Sequence, residues 1–188
     1  MRTVEITVQP LSPAAFAPFG QVIGEGGAPP VYEAEGLRSW RLAFDVAGRA
    51  DLLVIHYDHR PLAFAKLERH FDVTQSFIAL GGAESVMVVA PASGPDEVPA
   101  PGDVRAFLVP GDRGIMLWRG TWHALTRFPL SPAGAAFAFL TDAHTQHELE
   151  RQIRTGEPAT RTQVVDYAER DGLRFLIRPL DPPAARLT

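Results

Sequence analysis

The chain has 188 residues, 46% hydrophobic and 21% charged, with a net charge of −4 and no cysteine. That length suits one core-forming domain, the mixed charge leaves no basic footprint for nucleic acid, and the missing thiols exclude disulfides, thiolate metal sites and cysteine nucleophiles. The start, Met1 to Ile6, carries no apolar signal core, and no stretch reaches the ~20 apolar residues of a membrane span, so a cytoplasmic protein touching neither membrane nor nucleic acid is expected.

Seventeen prolines and sixteen glycines spread along the chain predict frequent turns and many short strands. Val4, Ile6 and Val8 alternate with polar neighbours as a strand does. Ser12-Pro13 reads as a helix N-cap followed by proline at the first helical position, with Gly20 as the stop and Phe16 and Phe19 on the buried side. A loop from Gly24 to Pro30 follows. Strict alternation at Trp40, Leu42, Phe44 and Val46 predicts a second strand, and Leu52 to Tyr57 reads as a buried one. Further strands are expected over Leu62–His70, Thr74–Leu80, Ser85–Ala90, Val104–Val109, Ile115–Trp118, His123–Phe128 and Ala135–Thr141. The proline-rich segment from Pro91 to Gly102 is a surface loop between them.

Beyond Asp142 the texture changes. Thr145-Gln146-His147-Glu148 fits a capping box, Leu149 and Ile153 share a helical face, and Thr162–Tyr167 and Leu173–Ile177 read as strands before a loose tail from Asp181. The expected fold is mainly β, a jelly-roll or other closed barrel of antiparallel strands with one or two short helices. The barrel would occupy residues 1–141, with 142–188 a divergent extension packed on the same domain. An immunoglobulin-like sandwich is the competing architecture.

The polar clusters within Leu62–His123 carry the chemistry. In a strand Glu68 and His70 share one face, Arg69 points the other way, and Gln75 and His123 follow on neighbouring strands. The spacing Glu68-x-His70-x4-Gln75-x6-Gly82, then Trp118-x-Gly120-x2-His123, is similar to the two cupin motifs, with Glu for one histidine, Gln for the acid and Trp for the proline. Lys66 lies on the Glu68 face and could pair with Glu68 or with substrate. His56 and His59 read as a solvated turn, and His144, His147 and Glu148 as an exposed helix end.

Leu67-Glu68-Arg69-His70, Thr74-Gln75-Ser76-Phe77-Ile78, Val86 to Ala90, Val104 to Phe107, Gly114-Ile115 and Trp122-His123 together resemble the ureidoglycolate lyases over roughly residues 4–141. The resemblance implies a cupin-type barrel, usually a homodimer, that cleaves (S)-ureidoglycolate to glyoxylate and urea in the breakdown of allantoin and purine nitrogen. It also implies Glu68, His70, Gln75 and His123 as metal-ligand positions.

Ureidoglycolate carries a carboxylate, a hydroxyl and a ureido nitrogen on one carbon. Elimination needs a base for the hydroxyl proton and a proton for the leaving nitrogen. His70 or His123 would be the base and Glu68 the second acid/base group. A divalent ion on the same residues, whether nickel, manganese, iron or zinc, would instead acidify the hydroxyl. Arg119 and Arg105 are the candidate cations for the substrate carboxylate, Trp122 the pocket wall, and Gln75 and Lys66 further substrate contacts. Ala124 and Leu125 replace the histidine and proline usual in the family, and Trp118 a polar residue. Two alternatives therefore stand: a related enzyme on another small hydroxy or keto acid, and a non-catalytic module that binds a small acid.

Overall fold

Strands form where apolar and polar residues alternate between turn-forming glycines and prolines, and they build two main sheets. A computed structural model describes residues 1–180, so the tail expected to be loose from Asp181 lies outside the described residues. In chain order the first elements are β1 (Arg2–Pro10), α1 (Pro13–Phe16), β2 (Gly20–Ile23), β3 (Tyr32–Ala34), β4 (Leu37–Ser39), β5 (Ala50–Tyr57), β6 (Ala63–Phe64), β7 (Lys66–His70), β8 (Ser76–Leu80) and β9 (Gly82–Ala90). There follow β10 (Arg105–Gly111), β11 (Gly114–Leu117), β12 (Trp122–Ala124), β13 (Phe128–Pro129), β14 (Ala135–Asp142), α2 (Ala143–Thr155), β15 (Thr162–Asp166), α3 (Tyr167–Asp171) and β16 (Leu173–Arg178).

The larger sheet runs β15-β7-β12-β9-β10-β1-β16-β6, with β13 also on β9, and the smaller runs β2-β11-β8-β14-β5. Only Ala65 separates β6 from β7, near opposite ends of the larger sheet, so the chain itself draws that sheet into a curl. The result is a mainly β, cupin-like barrel. Alternation along β9 divides the core. Val86, Val88 and Ala90 join Trp122, Phe175 and Tyr167 in one cluster, whereas Met87 and Val89 face Phe77, Phe137 and Phe139 of the smaller sheet in another.

Several expectations change. The larger sheet is not purely antiparallel, because β1 lies parallel to both β10 and β16. The alternating residues Trp40 to Val46 form no strand, since their backbone finds only a single bridge, Val46 to Val73, and alternation without a neighbouring ladder does not make a sheet. β5 is an edge strand rather than a buried one, with Leu52 and Val54 71% and 74% exposed. The first helix is capped by Ser12 as expected but ends at Phe16, and Gly20 instead opens β2. Among the described residues there are three α-helices, and α2 is capped not by Thr145 but by Asp142, whose Oδ2 accepts from Thr145 N at 2.9 Å.

Gly20 is required by close approach. A Cβ there would lie 2.0 Å from Met116 O of the paired strand β11. Gly20→Ala must push the two strands apart, and we expect a loss of about 2 kcal/mol, read as a lower midpoint in urea denaturation with unchanged slope.

Candidate active site

Alternation along β7 does the first sorting. Leu67 and Arg69 turn to one side, Glu68 and His70 to a cavity on the other. Arg69 is fully buried and saturated. Its Nε and Nη2 donate to Gln163 Oε1, Nη1 to Ser93 O at 2.7 Å, and Nη2 to Gly94 O and Pro95 O at 2.9 and 3.0 Å. Its guanidinium also lies 4.5 Å from the Trp122 ring. This contact set ties the proline-rich loop onto the back of β7 and fixes the strand that carries the site.

The second motif is brought in by a glycine turn. Gly120, at φ +75°, donates its N–H to His70 O at 2.7 Å, and Thr121 Oγ1 donates to Phe19 O. β12 then pairs antiparallel with β7, so that His123 stands directly opposite Glu68. The Glu68 carboxylate lies 3.8 Å from His70 Nε2 and 3.9 Å from His123 Nδ1, and the imidazole centres are 5.1 Å apart. These separations exceed hydrogen bonds. Ligand atoms from the three residues all lie within 4.8 Å of one another, a group that could hold a metal ion.

One nitrogen of each imidazole is already engaged. His70 Nδ1 is 2.8 Å from Thr162 Oγ1, and His123 Nδ1 is 3.0 Å from Ala124 O. A carbonyl only accepts, so neutral His123 carries its proton on Nδ1 and its lone pair on Nε2. That Nε2 and Gln75 Oε1 are both buried without a hydrogen-bond partner among the described residues. Backed imidazoles and unpartnered acceptors on one cavity form a donor set that fits a divalent ion.

Burial sets the protonation states. Desolvation pushes Glu68 up to about 7, holds His123 down to about 4, and lowers His70 well below its usual range, with His123 adding to the last effect. Near neutral pH both imidazoles are thus uncharged while Glu68 sits at half-titration.

The cavity has a volume of about 530 Å³. Of the residues singled out from sequence, Glu68, His70, Gln75 and His123 meet on it, and Lys66 reaches its rim, where it pairs with Asp166 at 3.0 Å rather than with Glu68. The other three lie elsewhere. Arg119 pairs with Asp45 at 2.8 Å, Arg105 donates to the carbonyls of Gly102 and Val104, and Trp122 is wholly buried in the barrel core with its Nε1 on Ser93.

The buried cation on the cavity is Arg127. It is 2% exposed, lies 3.8 Å from the Phe77 ring centre, and leaves Nε, Nη1 and Nη2 without a hydrogen-bond partner among the described residues. Desolvation lowers it to about 9, against the opposing effect of nearby Tyr57. The sequence did carry a signal for it: an arginine at an even offset from His123 inside a stretch expected to be a strand. The buried halves of Tyr57 and Phe139 complete this end of the cavity.

A family profile for ureidoglycolate lyase matches residues 3–160. The chain belongs to the ureidoglycolate lyase family. Among its relatives, the ureidoglycolate lyase of Pseudomonas fluorescens (strain Pf0-1) is 39% identical over 131 residues, covering 65% of this chain and 75% of that one. The ureidoglycolate lyase of Azotobacter vinelandii is 36% identical over 126 residues, covering 63% and 74%. The family match runs past Thr141, where the motif resemblance stopped, and takes in the whole of α2. Of the departures from the lyase pattern, Trp118 lies away from the cavity and donates its Nε1 to Ala17 O, whereas Ala124 and Leu125 line it, Ala124 also packing in the barrel core.

Glu68 ties stability to pH. Its folded pKa of about 7 lies above its ordinary 4.5, so the stability linked to it is fully present below the lower value and lost as pH rises through the upper. At about 1.4 kcal/mol per unit the loss is on the order of 3 kcal/mol. In chelator-treated protein, Glu68→Gln should therefore melt on the order of 5–10 °C above the parent at about pH 8, with the gap closing towards about pH 5. Thermal melts across that range check it.

Proposed function

We propose that the chain is a lyase cleaving ureidoglycolate to glyoxylate and urea, a step in the breakdown of allantoin and purine nitrogen. Arg127 carries the reading. A buried guanidinium with no protein partner is costly to keep, and a carboxylate entering the cavity would complete its hydrogen bonds with bidentate geometry. Glu68, His70 and His123 share that cavity, as an acid/base reaction next to the carboxylate requires.

The residues divide the work as follows. Arg127 binds the carboxylate, with Gln75 positioning a neighbouring oxygen. His123, neutral and with an unpartnered lone pair on Nε2, takes the hydroxyl proton. The electron pair released forms the aldehyde of glyoxylate as the carbon–nitrogen bond breaks. Glu68, raised to about 7, has a proton to give the departing urea nitrogen. Lys66, held by Asp166, adds positive charge at the rim.

Glu68, His70, Gln75 and His123 would also hold a divalent ion such as nickel, manganese, iron or zinc, with His70 and His123 steadied by Thr162 and Ala124. Such an ion, when bound, supplies Lewis-acid polarisation of the substrate hydroxyl. Activity that survives chelation would assign the acid/base roles above. Activity restored only by added metal would assign those four residues to the ion.

A homodimer and a cytoplasmic location belong to the same reading. The exposed Leu52 and Val54 on edge strand β5 supply an apolar face for a second copy. Sedimentation of the purified protein at one protomer mass would remove the dimer.

The direct test is release of glyoxylate and urea from ureidoglycolate, and Arg127→Met makes it specific. Removing an unpaired buried charge should leave the melting temperature equal or higher, while kcat/KM falls by about 100-fold or more. A variant that melts much lower, or one that retains full activity, would show that Arg127 serves the fold instead.

A further inference from the structure

The cavity is larger than the proposed substrate. Even at about 30 Å³ for every non-hydrogen atom, the room of a liquid water, ureidoglycolate would take up roughly half of its 530 Å³. The remainder has a different chemistry. The cavity's deeply buried lining includes Arg127, Phe77 and Met87, whereas its more exposed lining includes Leu125, Leu149, Ile153 and Val164, together with Gln146 and Gln152 of α2. Leu125, Val164 and Ile153 are 38%, 45% and 87% exposed. Apolar side chains left open beside a catalytic cavity are a place for an apolar group of a ligand.

That rim is held in place. Leu149 and Ile153 lie one turn apart on α2, which is capped by Asp142 at its start and by left-handed Gly156 at its end. Midway, Glu148 accepts from Thr160 N and Arg161 N at 2.9 and 3.0 Å, fastening the helix to the strand that leads into β15. Val164 sits on β15, paired opposite Glu68. Acid/base cluster and apolar rim are therefore parts of one rigid wall.

We infer that the enzyme also cleaves 2-hydroxyglycines whose nitrogen bears a bulkier apolar acyl group, with that group seated on Leu125, Leu149, Ile153 and Val164. This rests on the lyase reading. With the carboxylate on buried Arg127, whatever the nitrogen carries must extend towards the mouth. Carbamoyl, the acyl group of ureidoglycolate, is too polar to profit from apolar side chains at the rim.

The chemistry is unchanged and balanced. The hydroxyl gives its proton to the base, its oxygen becomes the aldehyde of glyoxylate, the carbon–nitrogen bond breaks, and the amide nitrogen takes a proton. The products are glyoxylate and a primary amide, with no oxidant or reductant.

The probe is N-benzoyl-2-hydroxyglycine, with benzamide and glyoxylate followed above the spontaneous rate and ureidoglycolate assayed alongside. We expect a kcat/KM within about tenfold of that for ureidoglycolate. Leu149→Gln combined with Ile153→Asp should lower the ratio of benzoyl to carbamoyl kcat/KM by about tenfold, one lost apolar contact or two. Turnover of ureidoglycolate without benzamide would overturn the inference and leave the lyase reading standing. Turnover of neither would overturn both. Benzamide release with a ratio that the double substitution does not move would remove the α2 rim from the subsite.

Discussion

The register between β7 and β12 is the constraint on which the rest depends. It sets His123 opposite Glu68, two residues from His70, and it does so between strands whose other faces are packed in the barrel core. A slip of one residue would turn every side chain over, exchanging His123 for Trp122 or Ala124 and sending the imidazole into apolar packing. Trp122 and Leu67, both fully buried, make that slip costly, so apolar residues of the two strands hold the polar cluster in place. The Gly120 N–H on His70 O closes the same joint from the loop side.

Two buried guanidiniums show how the same side chain serves opposite ends. Arg69 and Arg127 are 1% and 2% exposed, and both lie over aromatic rings. Arg69 spends every donor on Gln163 and on loop carbonyls, so its charge is solvated by the fold itself and it binds the proline-rich segment to β7. Arg127 has no such partners among the described residues. A fully satisfied buried charge organises the fold; an unsatisfied one beside a cavity keeps its donors open to a ligand.

Burial gives the remaining groups their character. Glu68 is raised and the histidines are lowered by the same loss of water, which sets a carboxylic acid able to donate next to imidazoles able to accept. An ion pair between Glu68 and a charged histidine would have cancelled this difference. The 3.8 and 3.9 Å separations keep the three groups adjacent without pairing them, which is also what leaves them able to receive a metal.

Much of this was legible in the sequence. Period-two alternation with turn residues at its ends marked most of the strands. Because side chains two apart share a face, it also placed Glu68 and His70 together and Arg69 behind them. The order of short motifs was specific enough to indicate the family. Alternation alone misled where no partner strand came alongside, at Trp40 to Val46, and where the strand fell at a sheet edge, at Leu52 and Val54. Only the tertiary structure decided which cation meets the cavity. Arg105 and Arg119 were as plausible as Arg127 by composition, but what separates them is whether a nearby carbonyl or carboxylate has already claimed the guanidinium. That depends on contacts between residues far apart along the chain, which local pattern does not encode. The sequence by itself determined the strand faces and the chemical inventory; three-dimensional packing determined which of those groups were left without a partner.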